Sequence, residues 1–517
     1  MTAWFKKQWL AIPLLTFLVV ALVIPMLVLL ARGIDFAALN NPFILERLLS
    51  TLLQALLSSG IVLILALLCG GFLARYSFRA RPLLESVLAL PFVVPVLVAA
   101  LGFLSLFGAR GWIVNLEGTL WVVLLANVFY NLGIAIRLVM SSLSAQSLEP
   151  EMMARLEGAS SMQVWRFVTL PTALPSATIG AGLAFLYTFA SFGVPLLLGG
   201  SSFATLEVEM YQSVQRLELS SASALALLQV LVTFTAAWLV TSFEQRHSQA
   251  AELNSFRPRA KGWTRVALGA VVMFLLTLTF VPLVAVLIRS LSNSSGLTFV
   301  HYTSLFAVSS SIFSTDLGLA IWNNLRFAAL TLLFAVPLGI SYGLYLWRSQ
   351  NGLLNAVSLL PLAVSSTMLG VAYIIAYPSL TASLLLLIAV YVLTAYPLVT
   401  RATLSALQNL EPSLLEAASL DGANQLEQFW FIVLPLTQQS LRGGIALGFA
   451  VVLGEFAATQ MLSRPEWATL TTAIYQRLSK PNQLGEASAL AMILLGVTLL
   501  GFWLIGSRTR EPRRREQ

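Results

Sequence analysis

The sequence predicts an all-α membrane protein of about 12 transmembrane helices, set in two tandem six-helix halves. Three observations carry that prediction. Of 517 residues, 58% are hydrophobic and 10% charged, whereas soluble domains average about 25% charged. Apolar runs of the roughly 20 residues needed to cross about 30 Å of hydrocarbon recur along the chain. A polar, glycine-interrupted pattern also occurs twice at a fixed separation, so the chain reads as a duplication.

In order, the spans fall near 10–31, 51–74, 83–107, 119–141, 177–199, 221–243, 266–288, 322–347, 353–377, 381–400, 441–462 and 485–506. The first follows Lys6 and Lys7 as a signal peptide would. Its apolar run is longer than a signal h-region and no A-x-A site closes it, so it is read as an uncleaved span. Lys/Arg placement orients the set. Lys6, Lys7, Arg75, Arg79, Arg81, Arg155, Arg166, Arg246, Arg257, Arg259, Lys261, Arg265, Arg348, Arg401 and the Arg508 to Arg515 tail share one set of loops. The opposite loops hold roughly half as many, including Arg47, Arg110, Arg464 and Lys480. The richer set, with both termini, is expected on the cytoplasmic side. The net charge of +8 is then topology and attraction to membrane lipid, and no nucleic-acid partner is expected.

Chemistry-bearing groups are few. Cys69 lies inside a span, which leaves no internal disulfide and no thiolate metal site. His247 and His301 are lone loop histidines, read as solvated side chains. No G-x-x-x-x-G-K-[ST] loop, paired carboxylates or Ser/His/Asp set can be assembled, so no covalent chemistry, metal or cofactor is expected.

The repeat is carried by Gly158 to Pro171 and Gly422 to Pro435, both reading Gly, nine residues, Val or Ile, one residue, Leu-Pro. Their offset of 264 residues also aligns Arg137 with Arg401, Phe185 with Phe449, Phe192 with Phe456, Ala204-Thr205-Leu206 with Ala468-Thr469-Leu470, and Tyr211-Gln212 with Tyr475-Gln476. Six spans per half is even, so both copies insert with the same orientation as a parallel repeat. The halves are expected at 1–243 and 266–507, joined by a cytoplasmic linker at 244–265 and followed by a basic tail at 508–517.

Each polar segment falls between the fourth and fifth spans of its half. In the second, Leu414, Leu415, Ala418 and Leu420 form one apolar face, and Leu426, Phe429, Trp430 and Val433 another. Gly422 permits a reversal between them. The spacing predicts helix, tight turn, helix, with Leu434-Pro435 ending the second helix because proline disfavours the helical conformation of its predecessor. A surface helix resting in lipid headgroups would account for one such segment. Two in matched positions favour a paired docking site.

Glu416-Ala417-Ala418, three residues, Gly422, nine residues and Ile432-Val433-Leu434-Pro435 resemble the EAA motif of the permease subunits of bacterial ATP-binding-cassette importers. The second loop, 411–435, matches in full. The first, 149–171, keeps Gly158, Val168, Leu170 and Pro171 but has Met152-Met153-Ala154 in place of Glu-Ala-Ala, with Glu151 one position early. The resemblance implies the type I importer permease fold in the bacterial inner membrane. It further implies that both loops are coupling helices seated on two copies of a separate ATPase subunit at the cytoplasmic face. A periplasmic or lipid-anchored solute-binding protein would deliver cargo from the other side. Fusion of two halves in one chain resembles the thiamine and iron(III) branch. Residues 90–112 (LPFVVPVLVAALGFLSLFGARGW), 190–200 (ASFGVPLLLGG) and 204–212 (ATLEVEMYQ) look most like thiamine permeases.

Candidate pathway or gate residues are Glu455, Phe456, Phe192, Tyr187 and Tyr130. An ionised group at a helix centre costs about 2.5–3.5 kcal/mol, so Glu455 is expected to face the bundle interior. A carboxylate beside aromatic rings would suit a flat cation such as thiamine. A structural or gating role for Glu455 weighs more, because similar Gly-Glu-Phe segments occur in permeases of this class that carry anions. Asn127, Tyr130 and Asn131 share a helical face and read as interhelical hydrogen bonds. Asn323, Asn324 and Arg326 are expected to snorkel to the interface. The duplicated segments 203–217 and 467–481 read as gates, binding-protein contacts or capping loops. The expected function is ATP-driven uptake of thiamine or its phosphates, with iron(III) or another small solute as the alternative cargo. A secondary transporter with two six-span halves is the alternative from another class. The Gly-rich, Asp-bearing loop usual between the second and third spans of such carriers is missing from RYSFRARP at 75–82.

Overall fold

Hydrocarbon offers no hydrogen bond, so so apolar a chain must satisfy its backbone within each segment, and it does so as helix after helix. The structure, a computed structural model, describes residues 10–33, 42–147, 149–200, 203–247, 258–293, 296–306, 316–349, 354, 357, 361, 364–462, 464–480 and 482–506. Lys6, Lys7, Arg257, the tail 508–517, linker residues 248–257 and most of 350–363 lie outside the described residues.

Among the described residues the first half runs α1 (Ile12–Arg32), α2 (Pro42–Arg75), α3 (Arg81–Val93), α4 (Val96–Phe107), α5 (Leu120–Ser144), α6 (Glu149–Leu156), α7 (Ser161–Phe189), α8 (Gly193–Leu198), α9 (Leu206–Gln215) and α10 (Leu219–Glu244). The second runs α11 (Trp263–Ser290), α12 (Val300–Phe306), α13 (Leu317–Ser349), α14 (Ser366–Ala376), α15 (Leu384–Gln408), α16 (Pro412–Leu420), α17 (425–454), α18 (Ala457–Leu462), α19 (Leu470–Leu478) and α20 (Leu484–Gly506). A two-residue antiparallel pair, Ser292–Asn293 with Gly296–Leu297, is the one strand pairing among the described residues.

Nine helices among the described residues are long and apolar enough to cross a membrane, and α3 with α4, bent by 97°, forms a further broken span. The twelve expected spans are therefore less regular than the hydropathy pattern implies. The fifth stops at Phe189 and resumes as α8, because Pro195 has no N–H to donate to the Ser191 carbonyl four residues back. The eleventh breaks likewise between α17 and α18 at Glu455 and Phe456. α17 carries Gln438, Gln439 and Arg442 and is not among the nine. The ninth is described mainly as the short helix α14.

Contacts divide the chain into two compact units, Gly33–Phe299, and Met1–Arg32 with Val300–Gln517. Each takes its first helix from the other half of the sequence. In the Gly33–Phe299 unit, α11 meets α4 backbone to backbone, such that a Cβ on Gly102 would lie 2.4 Å from the Pro282 carbonyl oxygen. Arg289 near the end of α11 donates to the Arg110 carbonyl at 2.7 Å. In the other unit, α1 contains a π turn at Val19–Val23. The Tyr373 and Tyr377 hydroxyls, in and just after α14, donate to Ala21 O at 2.6 Å and Val20 O at 2.8 Å.

Lipid gives helices no hydrophobic drive to associate, so small residues that allow close approach become the seams. Gly70 of α2 sits against Val139 Cβ and the Ile136 carbonyl of α5. Gly343 of α13 sits against Thr403 Cβ and the Thr400 carbonyl of α15. The partners are 264 residues apart, which sets Gly70 of α2 on Gly343 of α13 and gives those two helices their common register. Leu73, Leu84, Leu132, Ile136 and Ala177 close the core between α2, α3, α5 and α7.

Gly102→Ala places a Cβ against backbone that cannot yield easily, and thermal unfolding in nanodiscs should show a loss of about 1–3 kcal/mol. Gly71→Ala, whose Cβ meets nothing within 4 Å, is the neutral control.

Candidate functional site

Both polar segments fold as helix, turn, helix through the same hydrogen bonds. α6 ends with Gly158 N–H donating to Arg155 O at 3.1 Å and Ala159 N–H to Ala154 O at 3.0 Å. α16 ends with Gly422 N–H donating to Ser419 O at 3.2 Å and Ala423 N–H to Ala418 O at 2.9 Å. This pair of bonds is the Schellman closure, and it needs a left-handed residue. Gly158 has φ +89° and Gly422 φ +85°. No atom lies within 4 Å of where either Cβ would be, so glycine is required by conformation and not by space.

Two residues later a capping box starts the next helix. Ser160 with Gln163, and Asn424 with Glu427, each satisfy one another's backbone N–H. Closure and box together set the angle between the two helices of each segment.

The second helix does not end at Leu-Pro. It passes through a π turn, Trp165–Thr169 or Phe429–Val433, where Leu170 N–H bonds Trp165 O and Leu434 N–H bonds Phe429 O, five residues back. It then continues as the long helix, with Pro171 and Pro435 in the first turn after the widening. A proline clashes with the carbonyl four residues back only in a regular α turn, and the wider turn removes that conflict. The expected helix stop is thus a bulge in an unbroken helix, reaching Phe189 in one copy and Gly454 in the other.

The shared closure aligns Ala154 with Ala418, hence Met152 with Glu416 and Glu151 with Leu415. Glu416 and Ala417 are exposed, as is Met152, while Ala418 is buried against its own bundle. Among the described residues Glu416 forms no hydrogen bond or ion pair. On the inward side the copies diverge. Leu415 packs with Leu344, Leu407, Leu410 and Val433. In the same place Glu151 accepts from Arg75 Nη2 at 3.1 Å and from Thr169 Oγ1 at 2.7 Å. Thr169 and Val433 are themselves equivalent.

The pathway candidates are structurally engaged. The Glu455 carboxylate is half-buried, accepting Ala458 N–H at 3.0 Å and Ser366 Oγ–H at 3.1 Å, and so caps α18. Its backbone carbonyl accepts Thr459 and Thr471 hydroxyls at 3.0 and 3.3 Å. The Phe456 and Tyr475 rings lie 5.3 Å apart at a tilt of 53°, and Phe192 meets Tyr211 edge to face at 5.5 Å, a pairing duplicated at the 264-residue offset. The Tyr130 hydroxyl lies 3.4 Å from the Val94 and Pro95 carbonyls at the bend between α3 and α4. Tyr187 is half-exposed. Glu455 and Phe456 belong to one compact unit and Phe192, Tyr187 and Tyr130 to the other, so no single unit assembles the set.

Asn127 Nδ2 donates to Ser58 Oγ of α2 at 3.2 Å and Asn131 Nδ2 to Thr188 Oγ1 of α7 at 3.5 Å, the expected interhelical bonds, and Asn131 also donates to Asn127 O of its own helix at 2.8 Å. Asn323 and Asn324 do not snorkel. Both are buried, Asn323 donating to Glu466 O and Ala468 O at 2.9 Å each, and Asn324 Oδ1 accepting Leu470 N–H at 2.8 Å. They hold the start of α19, whose ends would otherwise carry unpaired backbone. Sequence reasoning missed two ion pairs, Arg75 with Glu151 and Arg47 with Glu209. Glu207 and Glu209 in an otherwise apolar stretch were the available signal, since a buried carboxylate needs partners.

The family described as "Binding-protein-dependent transport system inner membrane component" matches residues 62–249 and 332–510. The thiamine transport system permease protein ThiP of Haemophilus influenzae is 26% identical over 478 residues, 87% of this chain and 86% of the relative. ThiP of Escherichia coli is 25% identical over 481 residues, 86% and 85%. The ferric transport system permease protein FbpB of Actinobacillus pleuropneumoniae is 25% identical over 462 residues, 82% and 66%. These relatives are transport subunits and not enzymes, and the two family matches fall one in each half of the duplication. The chain belongs to the family of binding-protein-dependent transport system inner membrane components and carries two copies of its permease domain in one polypeptide.

Proposed function

We propose that this permease imports thiamine or one of its phosphates, driven by two ATPase subunits that grip α6 and α16. The observation that carries the coupling part is the matched pair of helix–turn–helix levers, each built on a left-handed glycine and a capping box. In the second lever, Glu416 and Ala417 face the ATPase, Ala418 and Gly422 set the turn, and Leu434 and Pro435 form the bulge. In the first, Gly158, Leu170 and Pro171 have the same tasks.

ATP-driven closure of the ATPase pair draws the levers together. Each lever continues without interruption into a long helix, so displacement at Leu426 travels along 30 residues of α17, roughly 45 Å, to the break at Glu455. There the capped junction with α18, α14 and α19 acts as a hinge or gate, since the Glu455 carboxylate is already occupied by backbone and Ser366. The lever end and both termini lie in the cytoplasm, supported by Arg75, Arg79, Arg81, Arg155 and Arg166 near the levers. A solute-binding protein docks at the opposite face, with α9 and α19 in the duplicated segments as its nearest elements.

Thiamine as cargo is supported by the near full-length similarity to proteins named as thiamine permeases. Iron(III) is the second reading, on similarity of comparable length to a ferric permease.

Gly422→Val forces a branched side chain into the left-handed region at a cost of roughly 1–2 kcal/mol. Gly422→Val and Glu416→Ala should each abolish binding-protein-stimulated ATP hydrolysis in proteoliposomes while membrane insertion, measured by fractionation, stays normal. Glu455→Gln keeps an acceptor for Ala458 and should retain most uptake, whereas Glu455→Leu loses the cap, about 0.5–2 kcal/mol, and should lose uptake. Loss of uptake in both would place the charge on the cargo. ATP-loaded vesicles should accumulate thiamine whether or not an uncoupler is present. Uptake by the purified chain with no ATPase would falsify the ATP-driven reading.

A further inference from the structure

The two long helices that begin the bundles, α2 and α13, align at Gly70 with Gly343 through their matching contacts to α5 and α15. A second pair of contacts gives the same register. Thr51 Oγ1 of α2 accepts Leu206 N–H at 3.0 Å, as Asn324 Oδ1 of α13 accepts Leu470 N–H at 2.8 Å. Gly70 and Gly343, and Thr51 and Asn324, are each 273 residues apart.

That register exposes a systematic difference at the two ends. At the lever end, Arg75 of α2 bonds Glu151 of α6 at 3.1 Å and also Thr169 in the π turn of α7. On α13 the equivalent residue, Arg348, lies over the Trp347 ring at 4.5 Å, and the lever is held by Leu344 against Leu415 and Val433. At the opposite end, Arg47 of α2 faces Glu209 of α9 at 3.7 Å, and Glu209 also takes Arg216. The corresponding residues are Ala320 and Ala473, both buried. The Glu209 side chain is 2% exposed and the Arg47 side chain 13%, and the Arg75 and Glu151 side chains are 16% each, so these are desolvated pairs and not surface contacts. Removing one member strands a charge in a low-dielectric setting.

We propose that α2 is a connecting rod pinned by charge at both ends, with Arg75 as the residue that positions the first lever and Arg47 as the residue that hands its displacement to α9. In the second half the positions of Glu151, Arg47 and Glu209 are taken by Leu415, Ala320 and Ala473, so these two ion pairs are not repeated there. That α6 is a lever rests on the transport reading, but the rod's mechanical link between α6 and α9 does not. It can be tested on the full chain alone, with neither ATPase nor cargo.

The test is amide hydrogen exchange of the chain in nanodiscs, read at α9. Arg47 and Arg75 are 28 residues apart, roughly 42 Å of helix. Glu151→Gln should speed exchange across 206–215 by about tenfold, the factor expected for losing a charge-assisted bond. The exchanged pair Arg75→Glu with Glu151→Arg should bring it back toward the wild-type rate. Thr169→Val removes one arm without stranding a charge, so it keeps the test open if Glu151→Gln folds poorly. It should give a smaller change at α9 in the same direction. Met152→Gln, beside Glu151 on the exposed face, should leave α9 unchanged. Faster exchange confined to α6, or a change at α9 that the exchanged pair does not reverse, overturns the proposal.

Discussion

Among the described residues, departures from regular helix are repeatedly finished by a side chain, because the surrounding hydrocarbon supplies no hydrogen bond. The π turn of α1 is met by Tyr373 and Tyr377. The bend between α3 and α4 is met by Tyr130. The break after α7 is met by Thr205 on the Ser191 carbonyl, and the break after α17 by Ser366, Thr459 and Thr471 around Glu455. The polar residues inside the spans are mostly there for this purpose. A carboxylate at such a break is costly only if unpaired. Glu455, with a helix N-terminus and a hydroxyl as partners, does not need a cargo to account for it.

The duplication kept backbone geometry and let chemistry drift. Gly158 and Gly422 have the same φ to within a few degrees, both capping boxes survive with different residues, and both π turns precede Leu-Pro. Inward-facing positions changed in coordinated sets. Glu151 and Thr169 correspond to Leu415 and Val433, and Arg47 and Glu209 to Ala320 and Ala473. The carboxylates Glu151 and Glu209 were both replaced by apolar residues, while the arginine of the lever end is kept as Arg348. Met152 at the place of Glu416 extends the difference to the outward face. The two helix–turn–helix segments therefore present unlike surfaces on like frames.

The exchange of first helices between compact units follows from the same seams. α11 can lie on α4 because Gly102 lets the two backbones touch, and α1 can lie on α14 because two tyrosines complete its widened turn. Neither contact depends on a periodic apolar pattern, since both helices are apolar on every face presented to lipid.

The sequence by itself determined the class of molecule, the duplication and the two matched helix–turn–helix segments. Hydropathy is summed over about 20 neighbouring residues, and a glycine with a fixed distance to Leu-Pro is local information. It could not determine where helices break, because a π turn or a capped junction leaves hydropathy unchanged and depends on hydroxyls far away in the chain. Pro435 looked like a stop, and only the five-residue hydrogen bond from Leu434 shows why the helix continues. Arg75 was legible as a marker of sidedness, but its bond to Glu151 spans 76 residues and no local period connects them. Asn323 and Asn324 were placed at an interface by their position near a helix end, whereas packing buried them as anchors for α19. What tertiary structure alone decided was the pairing of polar groups, since the free energy of a buried charge or amide is set by the partner it meets and not by its neighbours in sequence.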